Sequence, residues 1–507
     1  MGFTRGVKNR SAIVIGAGVG GLSAAIYLAR AGVKVRVYER APRVGGKLRE
    51  VDVDGKTFDA GPSVLTMKWV FDELFAGRFG EYVKLGTLEP LCRHFFPDGS
   101  VLDLFTDEER AADAIEKFSG AASARGYREY RKHAKKIFDV VREPFMENAI
   151  PHIVNFIHPR ALTMLTQIDA MRTLHKALEE FFPDPRLRQL FGRYATYNGS
   201  SPYQAPATLS VIVHVENAFG IFTCEGGIYR LAEALERLAR ELGVEIITGA
   251  EVEEIVTETT RSTFSEESRA IGIRLRSGAV EKADAVLANC DVADVYERLL
   301  NHTKTGRKLA RKYSDEERSL SAYVWLAVAE PPPFDILHHN VFFSTDYKHE
   351  FKQLFGDRTA PDDPTVYLNA QDRAGTPPSG PERMFFLSNA PALEQGGRSN
   401  IDWAHGQEVC RDRIVSVMAR HGWQVKALKQ KQITPLDLAT QFPASRGSIY
   451  GLSLNAMTAA FKRPQNKIAG VRGLYLAGGS VHPGAGLPMV AMSARIASQL
   501  ALTDLAG

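Results

Sequence analysis

The sequence predicts an α/β protein: a Rossmann-like parallel sheet assembled from separated stretches of chain, joined to an α+β domain with a helical portion. Three observations predict it. Residues 13–39 run as apolar strand, glycine turn, helix and second strand. Glycines cluster again between residues 45 and 61. Residues 471–500 carry a further strand, glycine turn and small-residue helix.

In the first stretch, Ile13-Val-Ile leads into Gly16-Ala-Gly18-Val-Gly20-Gly21, and Val33-Lys-Val-Arg-Val-Tyr-Glu39 closes the unit. Gly16 permits the tight turn, Gly18 lets the backbone approach a pyrophosphate, and Gly21 lets helix and strand pack closely. Phosphates would sit at the helix N-terminus, where free N–H groups and the helix dipole favour negative charge. Glu39, ending the second strand, is placed to accept from a ribose 2′-hydroxyl. Its charge repels a 2′-phosphate, so FAD or NAD is expected rather than NADP.

Arg40-Ala-Pro-Arg43-Val-Gly45-Gly46-Lys47 follows, then Asp59-Ala-Gly61-Pro62. An NAD dehydrogenase would proceed to another βα unit here. A second glycine pair beside basic residues instead suits a loop under a second phosphate or the ribitol of an extended cofactor; an ordinary glycine-rich turn is the plainer reading. Near the C-terminus, Leu474-Tyr-Leu-Ala477-Gly478-Gly479-Ser480 is a short strand meeting glycines. His482-Pro-Gly484-Ala-Gly486 leads to Leu487-Pro488-Met489 and a helix. Pro488 suits a helix start, and N–H groups there face a flavin edge or the phosphates. A cofactor held from both chain ends is expected to be FAD.

These segments, with Phe58-Asp-Ala-Gly-Pro62 and the ending Leu474–Pro488, resemble bacterial carotenoid desaturases of the phytoene desaturase type, a group with an amine-oxidase-like fold. Asp184-Pro-Arg-Leu-Arg-Gln-Leu-Phe-Gly-Arg193-Tyr-Ala-Thr-Tyr197-Asn-Gly-Ser-Ser-Pro-Tyr203 is similar to the branch acting on hydroxylated or methoxylated carotenoids. Glu225-Gly-Gly matches a central element of the family. Lys47 departs from the arginine usual after the glycine pair, keeping the charge but losing bidentate phosphate contacts. The resemblance implies an FAD-dependent desaturase with an apolar carotenoid substrate, most simply 3,4-desaturation of a 1-hydroxy or 1-methoxy end group. Quinone or oxygen would take the electrons. Sequential phytoene desaturation is the alternative; more remote ones are another amine-oxidase-like oxidase or a non-enzymatic prenyl-lipid binder.

Residues 1–80, 225–300 and 436–507 are expected to form the FAD-binding domain, and 81–224 with 301–435 the substrate domain. Helical patterning runs from about 105 to 195. Helix 228–242, strands near 244–256 and 270–288, and a polar loop at 258–269 are expected after it. The 507 residues, 44% hydrophobic, support two or three layered units. A net charge of +4 does not argue for a nucleic-acid partner. The four cysteines show no metal spacing and read as reduced thiols in a cytoplasmic protein. Segment 145–168 is rich in large apolar residues and broken by Pro151 and Pro159. It reads either as interface-lying helices that dock the protein on a membrane surface or as wall of the core.

No hydrolytic triad, HExxH or CxxC appears, so hydrolase and metalloenzyme chemistry and any metal site fall away. The flavin carries the hard step while the protein supplies orientation and an apolar channel. Few polar residues are then candidates. His482 either relays a proton or ties its loop to backbone. Arg193, Tyr194 and Tyr197 either bond a terminal oxygen of the substrate or form a structural cluster. Glu225 is expected to cap the following helix or support the cofactor loop rather than act as a base.

Overall fold

The computed structural model describes residues 7, 9–149, 165–261, 266–457 and 459–507. Ser11–Ile15 has an unbroken apolar stretch from Ala12 and is buried along it, as a central strand covered on both faces requires. It lies in the middle of a five-stranded sheet. Lys34–Tyr38 and then Glu245–Ile247 flank it on one side, Ala285–Ala288 and then Leu474–Leu476 on the other, all parallel. The strand order therefore reverses at Ser11–Ile15, and a crevice opens beyond its C-terminal end.

Helix Val19–Arg30 packs between that sheet and two further helices, Arg230–Glu241 and Leu487–Ala506. Its small residues make the packing close: Ser498 on the C-terminal helix donates its hydroxyl to the Ala24 carbonyl at 3.3 Å. Ends of the chain nearly five hundred residues apart thus share one core.

The stretch read as a polar loop at 258–269 is instead mostly strand. Val252–Arg261 and Glu266–Leu275 pair as a long antiparallel ribbon, with Thr259 opposite Ser268. Its polarity matches the exposure of Glu258, Thr259, Thr260 and Glu267, where backbone pairing needs no apolar face.

The second sheet has seven strands in the order Ala427–Ile433, Ser321–Ala329, Glu382–Ala390, Val366–Ala370, His339–Phe342, Cys92–Phe95 and Val101–Leu104. All pairs are antiparallel except His339–Phe342 with Cys92–Phe95. Alternation along Ser321–Ala329 sends Tyr323, Trp325 and Ala327 toward Ile414 and Met418 of helix Trp403–Arg420. Ala322, Val324 and Leu326 go to the other face, against Val53 and Phe58. At the far end of that inner face, helices Glu108–Ser119, Ala121–Val141, Leu174–Phe181 and Pro185–Gly192 cover Cys92, Leu102 and Val341. Asp107, Thr173 and Asp184 cap three of these helices through their side-chain oxygens.

Residues 150–164, the centre of the apolar 145–168 segment, lie outside the described residues. Among the described residues no helix is long and apolar enough to cross a membrane.

Trp325 is one of three buried tryptophans that fix the outer layer, with Trp403 and Trp423. It stacks on Phe386 with ring centroids 4.9 Å apart and donates its indole N–H to Gln430 at 2.8 Å. Trp325→Ala should cost about 3–5 kcal/mol in denaturant unfolding. A loss below 1 kcal/mol would mean that this sheet is not packed as described.

Candidate active site

Three glycine-rich segments meet at the crevice. Gly16 has φ +93°, and a Cβ on Gly21 would lie 1.9 Å from the Gly16 carbonyl oxygen, so neither position admits a larger residue. The Gly45 N–H donates to Ala17 O at 2.8 Å, and Gly18 and Gly45 form a parallel bridge. A Cβ on Gly46 would fall 3.1 Å from the Gly18 Cα. Gly61, followed by Pro62, is pressed so closely on Lys47 that its Cβ would lie 2.0 Å from the Lys47 carbonyl oxygen. Turns separated in sequence thus form a single bare-backbone surface.

Glu39 is buried at its edge. One carboxylate oxygen accepts from the Ala17 N–H at 2.7 Å and the other from the Ala41 N–H at 2.8 Å. Each oxygen keeps a lone pair for a further donor. Arg40 beside it is exposed.

The C-terminal segment reaches the same surface through Asn289, a residue the sequence reading passed over. Asn289 follows strand Ala285–Ala288 and donates its side-chain N–H to Ala477 O at 2.9 Å. A Cβ on Gly18 would sit 2.9 Å from its amide oxygen; one on Gly20 or Gly478 would sit 2.4 or 2.9 Å from its amide nitrogen. The signal available was positional: a polar residue at the C-terminal end of a strand adjoining the first one.

Two cations close the far side. The Lys47 ammonium donates to Ile449 O at 2.8 Å, and burial pulls its pKa down. Arg463 is almost wholly buried; its Nη1 donates to Gly479 O at 2.6 Å and Tyr450 O at 3.0 Å, while Nη2 has no acceptor among the described residues. Burial lowers the Arg463 pKa too, and the Asp291 carboxylate offsets both shifts. Beyond Gly479, Gly486 precedes the helix opened by Leu487, Pro488 and Met489. Among the described residues no side-chain cap occupies the first N–H groups there or at Gly18. A cradle without room for Cβ atoms, two uncapped helix starts and an orphan guanidinium nitrogen fit an extended dinucleotide with its diphosphate and ring system.

His482 lies in this C-terminal turn, fully buried. Its Nε2 donates to the Asn148 backbone oxygen at 2.9 Å, and its ring meets Phe145 edge-on at 4.9 Å. Burial pushes its pKa down to about 4, so it stands neutral as a tie between loops. Glu225 does not cap the next helix: it is exposed, 3.6 Å from Lys84. Asp59 takes that role across the fold, accepting from the Ile228 and Tyr229 N–H groups at 3.0 and 3.1 Å. Burial raises the Asp59 pKa while these two donors pull it back.

Arg193 and Tyr197 belong to a separate polar group set in the apolar interior. Tyr194 and Tyr197 donate their hydroxyls to the two oxygens of Glu216 at 2.6 and 2.7 Å. The Arg193 guanidinium lies 4.0 Å from Glu216 and stacks over Tyr194 at 4.7 Å. Tyr194 is wholly buried, so it supports this group rather than lining an entrance. Glu216 was missed because one acid in the apolar helix Val211–Phe219 carries no periodic signal.

With this geometry in view, the chain belongs to the flavin containing amine oxidoreductase family, whose model matches residues 19–502. It is 38% identical to a hydroxyneurosporene desaturase of Rubrivivax gelatinosus, over 98% of this chain and 94% of that one. It is 33% identical to a 4,4′-diapolycopene oxygenase of a Methylomonas species, over 98% and 99%. Its fold is similar to that of an oxidoreductase from Methanosarcina mazei, with a TM-score of 0.61 and 16% identity over 96% and 99%. The protein is an FAD-dependent oxidoreductase.

Two expectations follow. Gly18→Val should abolish flavin retention in purified protein, measured as flavin released per chain, because its side chain would enter the cradle beside Asn289; normal flavin content would contradict the assignment. Below pH 6.5 the unfolded His482 takes up a proton that the folded ring excludes down to about pH 4. Stability therefore falls with falling pH across that window, by about 1.4 kcal/mol per unit from this ring. His482→Gln should flatten the slope, and an unaltered slope would show that the folded ring is charged.

Proposed function

We propose that this protein desaturates an acyclic carotenoid at its 3,4 bond, acting on a 1-hydroxy or 1-methoxy end group. The observation that carries the reading is the Arg193–Tyr194–Tyr197–Glu216 group, a buried polar cluster beside the apolar inner face of the seven-stranded sheet. Glu216 takes both tyrosine hydroxyls, but Arg193 Nε has no acceptor among the described residues; a hydrocarbon offers that donor nothing, whereas a terminal oxygen accepts from it. The similarity to hydroxyneurosporene desaturases supports the same choice.

When bound, FAD supplies the two-electron acceptor for hydride removed from one of the two carbons, and the neighbouring carbon loses a proton. Gly16, Gly18, Gly20, Gly21, Gly45 and Gly46 bring backbone against the dinucleotide, and Glu39 accepts from its ribose. Lys47 and Arg463 present positive charge beside the loops Gly61–Pro62 and Gly478–Met489. Apolar side chains of the second sheet exclude water and align the polyene. Quinone or oxygen takes up the two electrons afterwards. The substrate dissolves in bilayers, so the protein works peripherally at that surface, while the described ends of segment 145–168 (Phe145, Met146, Leu165 and Ile168) pack against the first core.

Expression in cells that accumulate neurosporene or its 1-hydroxy derivative, followed by pigment chromatography, tests the reading. The hydroxylated carotenoid should be converted at least about tenfold better, as expected when a site's buried polar groups are left unpaired by the wrong substrate. Efficient conversion of phytoene to lycopene, with hydroxylated carotenoids untouched, would replace it with sequential phytoene desaturation.

A further inference from the structure

Among the buried side-chain nitrogens that have no hydrogen-bond partner in the described residues are Nε2 of His94, Nε2 of His339 and Nε of Arg193. His94 is fully buried, His339 is 2% exposed and Arg193 is 7% exposed. An unpaired buried polar atom is costly, so three belonging to one neighbourhood call for a ligand.

Strand register puts the two histidines on one face. Val341 lies opposite His94 on one neighbouring strand and opposite Tyr367 on the other. His339, two residues before Val341, projects to the same side, beside Asn369. The Arg193 guanidinium is near enough to push both imidazole pKa values down, adding to the effect of burial, so both rings are neutral.

The tautomers follow from their partners. His94 Nδ1 stands 3.1 Å from the Leu102 carbonyl oxygen, which only accepts; Nδ1 therefore carries the proton and Nε2 is a bare acceptor. For His339 the reverse holds. The Asn369 amide nitrogen directs both hydrogens to His338, to its carbonyl at 3.0 Å and to its Nε2 at 2.9 Å, the bare nitrogen of a ring whose Nδ1 donates to Ala370 O at 3.0 Å; none is left for His339 Nδ1, 3.4 Å away. Tyr367 OH, a phenol and so a better donor than acceptor, stands 2.7 Å from His339 Nδ1 and donates to it, while the Ser63 hydroxyl at 2.8 Å can donate to the phenol oxygen. Nδ1 is thus the acceptor, and Nε2 carries a free N–H.

We infer that His94 and His339 read the terminal oxygen of the substrate as an acceptor–donor pair, and so select an alcohol over a methyl ether and an ether over a hydrocarbon. A hydroxyl donates to His94 Nε2 and accepts from the His339 N–H. A methoxy oxygen can use only the second contact, and a methyl group uses neither. The position suits a 1-hydroxyl: three bonds, about 4 Å, separate that oxygen from C3, so its reader must stand beside the reacting bond. Tyr367, held to His339, is 2.8 Å from the hydroxyl of Ser63, two residues beyond Gly61 in the loop pressed on Lys47. This inference rests on the proposed carotenoid substrate.

The test measures equilibrium binding of 1-hydroxyneurosporene, 1-methoxyneurosporene and neurosporene to the FAD-loaded protein, by quenching of its tryptophan fluorescence in detergent micelles. Steady-state kinetics with the same three compounds run in parallel. Each lost hydrogen bond should weaken binding about five- to a hundredfold. His94→Phe should bring the alcohol to the affinity of the ether and leave neurosporene unchanged. His94→Gln, whose amide oxygen still accepts, should restore the preference. His339→Phe should bring the ether down to the hydrocarbon, with flavin content held. Wild-type preference for the alcohol that survives both phenylalanine variants overturns the pair while leaving the proposed substrate standing. A wild-type protein that binds all three compounds alike overturns the substrate reading itself.

Discussion

The close approach of bare backbone around Asn289 is the constraint on which the molecule is organised. Residues from positions 16–21, 45–46, 289 and 477–478 come within contact distance there, with Gly61 pressed on Lys47 next to them, and several of these approaches leave no room for a Cβ. Such a surface can form only if the chain returns repeatedly to the same parallel sheet. The discontinuous build follows: strands from 11–15, 34–38, 245–247, 285–288 and 474–476 lie side by side. The intervening excursions supply the second sheet and its covering helices. Energetically, the small-residue helix Val19–Arg30, buried between two others, ties the chain ends to this arrangement.

The second organising feature is the use of a few polar groups inside an apolar layer. Charge is offset where it is buried: Asp291 stands near Lys47 and Arg463, and Glu216 near Arg193. Such groups add little net stability compared with well-packed apolar residues, and they become strongly unfavourable when one partner is removed. Their presence in a deep layer is therefore better understood through what they bind and how they orient it. Buried polar atoms left without partners, such as Arg463 Nη2 and the Nε2 atoms of His94 and His339, mark where binding completes the network.

The glycine turns and the acid at the end of the second strand were legible in the sequence. Backbone contact with a dinucleotide demands glycine at fixed spacing, and no other physics produces that pattern so economically. The cofactor followed from two anchors at opposite ends of the chain. Residues whose role depends on distant partners were not legible. Glu225 adjoins Gly226-Gly227 in sequence and looked like the cap, yet Asp59 reaches the helix start from another loop. Asn289, Glu216, His94 and His339 are single polar residues on apolar strands and helices. Only strand register and packing show which of them face one another. Strands 252–261 and 266–275 extend into the polar stretch at 258–269 because an exposed antiparallel pair is held by its backbone ladder, which polar side chains leave intact.

The account joins one cofactor to one class of substrate, and anaerobic mixing tests that junction most directly. Purified flavoprotein is combined with 1-hydroxyneurosporene under exclusion of oxygen and quinone, and the visible flavin absorbance is followed together with the pigment. The account predicts bleaching of the flavin with one new carotenoid double bond per flavin, and markedly slower bleaching with neurosporene. A flavin that stays oxidised with the hydroxylated carotenoid, or bleaches equally fast with the hydrocarbon, would contradict it.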